Sequence, residues 1–151
     1  MSTIKVDTYQ TRGGASEIAI DKLKGVTAAG SMLVVGEGGT VTTNLQQGLV
    51  KCSLDFNGSG TIAILDSFNI TSIADNGTGL YTVTIANDFS NINYVYTGSA
   101  ETAIDTQNGR GVTGISTQIL AGSTAIRACT FSTNTAEDLV HIRFQATGDL
   151  A

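Results

Sequence analysis

Few side chains in this sequence are of types that do chemistry, and their spacing narrows what they can do. His141 is the single histidine; composition leaves a Ser-His-Asp relay open, but no G-x-S-x-G elbow accompanies it. It falls among the polar residues of an alternating stretch and reads as a solvated or interface side chain. Cys52 and Cys129 lie far apart with no C-x-x-C spacing, which defines neither a zinc site nor a disulfide framework. Each reads as a small buried hydrophobe with a reduced thiol, ahead of a bridge between them. Paired carboxylates for glycoside hydrolysis would be drawn from Asp55, Asp66, Asp75 or Asp88, all at strand edges or turns, where surface acids are ordinary. The run Asp75-Asn76-Gly77-Thr78-Gly79 is rich in oxygen ligands for calcium. It lacks the spacing and distal glutamate of an EF-hand, and a hairpin turn is the simpler reading. Glycines follow an apolar run in Val35-Gly36-Glu37-Gly38-Gly39-Thr40, but no helix signal follows them, and a phosphate cradle needs a helix N-terminus. The sequons at Asn57, Asn69 and Asn76 read as turn and strand polar residues, since no signal peptide is recognisable ahead of them. Tyr81, Tyr94 and Tyr96 are candidates for stacking on sugar rings, with core or interface positions preferred. No catalytic residue, cofactor or metal is expected.

The elements that must position these residues follow from composition. The chain has 151 residues, of which 22 are threonine, 12 serine, 9 asparagine and 18 glycine, and none is proline or tryptophan. Threonine suits the pleated surface, and glycine and asparagine supply the positive φ of tight turns. With 41% hydrophobic residues the chain is too apolar for a disordered linker, so an all-β protein is expected. Its net charge of −5 lacks the basic surplus that phosphate neutralisation requires, which argues against nucleic acid as the principal partner. Anionic membranes are disfavoured likewise, and no apolar run approaches the ~20 residues of a bilayer span.

Eight of the nine aromatic residues lie from Phe56 onward, and only Tyr9 precedes them. The sequence therefore divides into an extended N-terminal arm, 1–48, and a β domain, 49–151. In the arm, short apolar patches (Ile4 and Val6, Ile18 and Ile20, Met32 to Val35) are separated by glycines and cannot enclose a core; fully extended, the arm spans up to ~160 Å. The domain alternates with period two. Val50, Cys52, Leu54 and Phe56 point one way, and Lys51, Ser53 and Asp55 the other. Val140, Ile142, Phe144 and Ala146 are expected to face in, with His141, Arg143 and Gln145 out. Tyr81, Val83 and Ile85, and then Ile92, Tyr94 and Tyr96, repeat the pattern. Asn57-Gly58, the Asp75 to Gly79 run and Asn108-Gly109 mark hairpin turns, and Ala136 to Leu139 is a candidate for one helical turn. Six to eight strands at this spacing predict an antiparallel β-sandwich, jelly-roll-like. Without proline and with few charges, free strand edges invite aggregation, so identical subunits are expected to cover them.

The residues themselves resemble a family. Ser2-Thr3-Ile4-Lys5-Val6-Asp7-Thr8-Tyr9-Gln10-Thr11-Arg12 is similar to the N-terminal segment of virion fibre and appendage proteins of tailed phages, especially marine ones. Gly30 to Thr40, Asn44 to Gly48 and the module from Asp55-Phe56-Asn57-Gly58-Ser59-Gly60 through Tyr81-Thr82-Val83-Thr84-Ile85 fit the same group, a repeated tail-fibre module. Where related modules often carry Trp near the Val50 strand, this chain has Cys52-Ser53-Leu54. The resemblance implies a structural protein located in the virion, a homotrimeric tail fibre whose arm, through Ile4, Val6, Tyr9 and Arg12, is held by other virion proteins. It implies display of the β domain to a host cell-surface glycan or protein. The contact residues would lie on loops around Thr97 to Gly114 and Asn134 to Asp138, in particular Glu101, Asn108, Arg110, Asn134 and Glu137. A capsid decoration or head-fibre protein without receptor binding is the alternative.

Overall fold

A computed structural model describes residues 32–35, 39–102 and 109–151. Ile4, Val6, Tyr9, Arg12 and Asn108 lie outside these residues. Alternation in the sequence becomes strand wherever the apolar set finds a common interior. Two short strands, β1 (Leu33–Val35) and β2 (Thr42–Asn44), pair as a hairpin, and one helical turn, α1 (Leu45–Gly48), leads into the domain. There follow β3 (Val50–Asn57), β4 (Ala63–Phe68), β5 (Ile70–Asp75), β6 (Leu80–Ile85), β7 (Val95–Glu101), β8 (Arg110–Leu120), β9 (Ser123–Thr130), β10 (Thr135–Ala136) and β11 (His141–Thr147).

All the domain strands join one antiparallel sheet in the order β4-β3-β11-β7-β8-β9-β6-β5, with β10 on β9. The sheet is nearly closed into a barrel. The expected all-β class holds, but the strands form one curled sheet where a two-sheet sandwich was predicted. Strand spacing in sequence is the same for both, and only the pairing distinguishes them. Because β4 and β5 sit at opposite ends of the strand order yet follow one another in the chain, the bend between them ties the barrel's two edges together. Asn69 makes that bend with φ 56°, a left-handed conformation asparagine tolerates. Its amide donates to the carbonyls of Lys51 (2.9 Å) and Asn87 (3.2 Å), and its Oδ1 accepts from the Asn87 backbone N–H at 2.8 Å. The Asn69 sequon is thus a structural staple.

Inside lie Cys52, Leu54, Phe56, Tyr81, Val83, Ile85, Ile126, Ile142 and Phe144. Phe56 meets Tyr81 edge-on at 4.9 Å, and Phe89 stacks on Tyr94 at 4.2 Å, geometries that suit the ring quadrupole when edge-on or offset. Cys52 and Cys129 are buried and free; burial pushes the Cys52 thiol up to about 11, which leaves it protonated and unreactive.

Several expected details differ. Val50 is exposed and Lys51 buried, because Ala146 and Thr147, adjacent on β11, pair with Cys52 and Val50, which leaves Lys51 as a bulge on β3 and turns Val50 outward. Lys51 lays its stem on the domain and donates from Nζ to Gln46 Oε1 at 3.1 Å. Leu139, not Val140, is the buried residue before β11, and its carbonyl accepts from Gly58 N–H at 2.8 Å. Ile92 is exposed and Tyr94 buried, but β7 begins only at Val95. Residues 135–136 are the strand β10, not a helical turn, because they pair with Cys129 and Thr130.

Candidate functional site

Antiparallel pairing throughout gives the barrel two distinct ends. At the entry end the chain arrives through α1, the β4–β5 bend and β8–β9 turn lie, and β11 runs out to the C-terminal residues. The far end collects the β3–β4, β5–β6 and β7–β8 connections and the long segment from β9 to β11. Loops gathered at one end of a rigid scaffold are the common place for recognition.

A hydrogen-bonded brace, buried at its Tyr81 end, ties the far-end loops together. Tyr81 is fully buried, and its hydroxyl donates to Asp138 Oδ1 at 2.8 Å, with the Gly58 carbonyl at 3.3 Å. Asp138 Oδ1 also accepts from Gly79 N–H at 2.7 Å. Burial, and then Asp138, push the Tyr81 phenol far above its usual range, which keeps the proton on the donor. Three loops thus share one side-chain knot. In the β5–β6 hairpin, Gly77 (φ 120°) and Gly79 (φ 66°) carry the left-handed conformations, and Gly77 N–H bonds Asp75 Oδ1 at 2.9 Å. The run weighed for calcium is built as a hairpin turn, as its glycines and asparagine favour.

Of the residues expected to contact a receptor, four are described, and each is tied to a neighbour within the chain. Arg110 Nε donates to Glu137 Oε2 at 2.8 Å, and the Thr130 hydroxyl donates to the same carboxylate. Asn134, at φ 52°, accepts from Arg127 through its Oδ1 (2.6 Å) and its backbone carbonyl (2.5 Å). Glu101 accepts from Arg143, which bonds Asp55 Oδ2 at 3.3 Å through Nε. The structure brings Arg110, Asn134 and Glu137 together around the end of β9. Glu101 sits apart from them, on the outer face near the start of β11.

His141 joins that second group: its Nδ1 lies 3.1 Å from Asp55 Oδ1, and it faces Glu101 across β7. Asp66 is the cross-strand partner of Asp55 on β4, so two of the four sequence-flagged carboxylates are neighbours. Arg143 and His141 occupy the Asp55 carboxylate. Asp75 stands at the far end and Asp88 at the entry end, so the four do not converge. Tyr81 and Tyr94 are buried and Tyr96 is half-buried, which places all three in the core, the preferred reading.

A side chain overlooked in the sequence is Phe131. It is 59% exposed at the far end, beside Gly109 and over Gly111, where a Cβ would stand 2.1 Å from the ring. The missing side chain at Gly111 is what lets the ring lie flat on β8. The glycine after a far-end loop followed by an isolated aromatic was the available signal.

The ion pairs give a pH dependence. Thr130 and then Arg110 hold the Glu137 carboxyl below its ordinary value of 4.5, and Arg143 does the same for Glu101. A depressed folded value contributes stability above the unfolded one and loses it as pH falls through the folded value. Wild type and Glu137→Gln should therefore differ in urea midpoint at pH 7, and the gap should narrow as pH falls below 4.5. A gap that does not narrow in acid would show that the pairing is not what separates them.

No protein-family model, curated protein or solved structure matches this chain.

Proposed function

We propose that the chain is a structural virion protein of a tailed bacteriophage, a trimeric tail fibre or appendage that displays its β domain for recognition of the host surface. The observation that carries the reading is the polarity of the barrel. The arm joins at one end, and the loops, braced by Tyr81 and Asp138, gather at the other. A chain anchored through residues 1–48 would then point those loops outward. Exposed apolar side chains on the β1–β2 hairpin support an arm that finds its partners on other chains.

Recognition would centre on Phe131 and the polar turn Ser132, Thr133 and Asn134 beside it, an aromatic face with adaptable hydrogen-bonding groups that suits a surface glycan or a protein loop. One such site is weak. Three held on one stalk act together, because linking raises effective concentration without new contacts.

Gold-labelled antibody against the β domain on intact particles tests the placement. Label on the tail is the expected result; label on the shell would select a capsid decoration protein, and unlabelled particles would overturn both. On the tail reading, Phe131→Ala should reduce binding of the purified assembly to host cells about tenfold, the range of an interface anchor. Its exposure means that folding should be unaffected, which circular dichroism checks.

A further inference from the structure

We propose that the β1–β2 hairpin of one copy packs its apolar side chains into the groove at the entry end of a neighbouring copy's barrel. This rests on the trimeric reading above and names the surface that holds the copies together. Two unsatisfied apolar surfaces of the same chain carry it. On the hairpin, Leu33, Val34, Val35 and Val41 are 57, 50, 60 and 73% exposed, and a pair of three-residue strands is not stable alone in water. At the barrel, Leu49, Val50, Phe68, Ile70, Ala86 and Leu150 line a groove of about 450 Å³. Phe68 there is 59% exposed and Leu49 48%.

The chemistry of the groove selects its occupant. Among the described residues the one ionisable lining side chain, Lys51, is buried and bonded to Gln46, so these residues offer nothing to a charged partner. The described strands of the hairpin carry leucine, valine, threonine and asparagine and no charge.

The connection decides between the chain's own hairpin and a neighbour's. Only α1 and Leu49 separate β2 from β3, and a helical turn of four residues advances about 6 Å. So short a link holds the hairpin at the margin of its own groove with its apolar side chains uncovered. It leaves no length for the chain to reverse and lie in that groove. Where copies stand side by side on a common stalk, each hairpin meets the next copy's groove. Such a contact is heterologous and closes on itself as a ring of three.

Two differently tagged copies, one with Val34→Cys and one with Phe68→Cys, would be co-expressed and treated with a short bifunctional thiol crosslinker. Native Cys52 and Cys129 are buried and stay out of the reaction. The expected product joins the two tags. Val34→Asp and Phe68→Asp, both at exposed positions, should each raise the concentration at which the trimer dissociates at least tenfold by light scattering. Crosslinking confined to a doubly substituted chain, giving a monomer-sized product, would overturn the inference in favour of closure on the chain's own barrel. A trimer that persists with neither crosslink nor charge effect would overturn this interface and leave the trimeric assembly standing. A monomeric wild type at micromolar concentration would overturn both.

Discussion

Gly79→Ala should destabilise the barrel by about 3 kcal/mol. Gly79 sits at φ 66° in the β5–β6 hairpin, and a Cβ there would lie 2.6 Å from both the Ala128 carbonyl oxygen and the Glu137 backbone nitrogen. Both are backbone atoms of the segment packed against the hairpin. Neither can swing aside as a side chain would, and Gly79 itself accepts from Ala128 N–H at 2.8 Å and donates to Asp138 at 2.7 Å. A methyl group would therefore push apart the loops that the Tyr81 knot holds. Two costs add: the left-handed conformation, ~1 kcal/mol for a residue with a Cβ, and overpacking, ~1–3 kcal/mol. Gly60 separates them. At φ 71° it has nothing within 4 Å of the added atom, so Gly60→Ala should lose only the conformational ~1 kcal/mol. Urea unfolding of both variants reads the difference, and equal losses would show that the close approach at Gly79 is relieved at no cost.

The period-two pattern located β3, β6 and β11, and the buried Cys52, Leu54, Phe56, Tyr81, Val83, Ile85, Ile142, Phe144 and Ala146 were all legible from it. It failed where pairing, not pattern, sets direction. A bulge at Lys51 on β3 turned Val50 out, and nothing in the alternating run from Val50 to Phe56 announces the extra residue that pairing with β11 leaves at Lys51. Pairing also decided barrel against sandwich. Which strands are neighbours depends on the Asn69 bend, which sequence shows only as one asparagine between two apolar runs.

At the candidate site, the loops were legible from turn chemistry, whereas the state of their side chains was not. Glu101, Arg110, Asn134 and Glu137 are the polar and charged residues a recognition loop would carry, but Arg143, Glu137, Arg127 and Arg110 respectively hold them. Ion pairing between residues many positions apart in sequence is a tertiary fact. Phe131 escaped notice because a lone aromatic before Ser132 resembles any strand end, and its exposure follows only from Gly111 lying beneath it. The arm residues Ile4, Val6, Tyr9 and Arg12 and the loop residue Asn108 stay with the sequence argument, outside the described residues.

Tyr81→Ala should cost about 3–5 kcal/mol, the range for emptying a buried aromatic site. The ring is fully buried and edge-on to Phe56, and Gly58 has no Cβ because the Tyr81 hydroxyl would lie 2.3 Å from it. The cavity would open beneath the β3–β4 loop, and Asp138 would keep the Gly79 N–H but lose the Tyr81 hydroxyl. Tyr81→Phe keeps the ring and removes only the hydroxyl, so ~1–2 kcal/mol is expected. Asp138→Asn keeps the shape of the acceptor and removes its charge. If the hydroxyl and carboxylate act as one knot, the double variant Tyr81→Phe/Asp138→Asn should fall short of the sum of the singles by about 1 kcal/mol. Hydrogen exchange separates a merely stabilising pair from one that organises the recognition end. In Tyr81→Phe, the amides of Gly58 and Gly79 should lose protection beyond the global change, while those of Ala86 and Phe89 at the entry end follow the global change alone. Uniform loss at both ends would mean that the knot stabilises the barrel without holding its far-end loops in register.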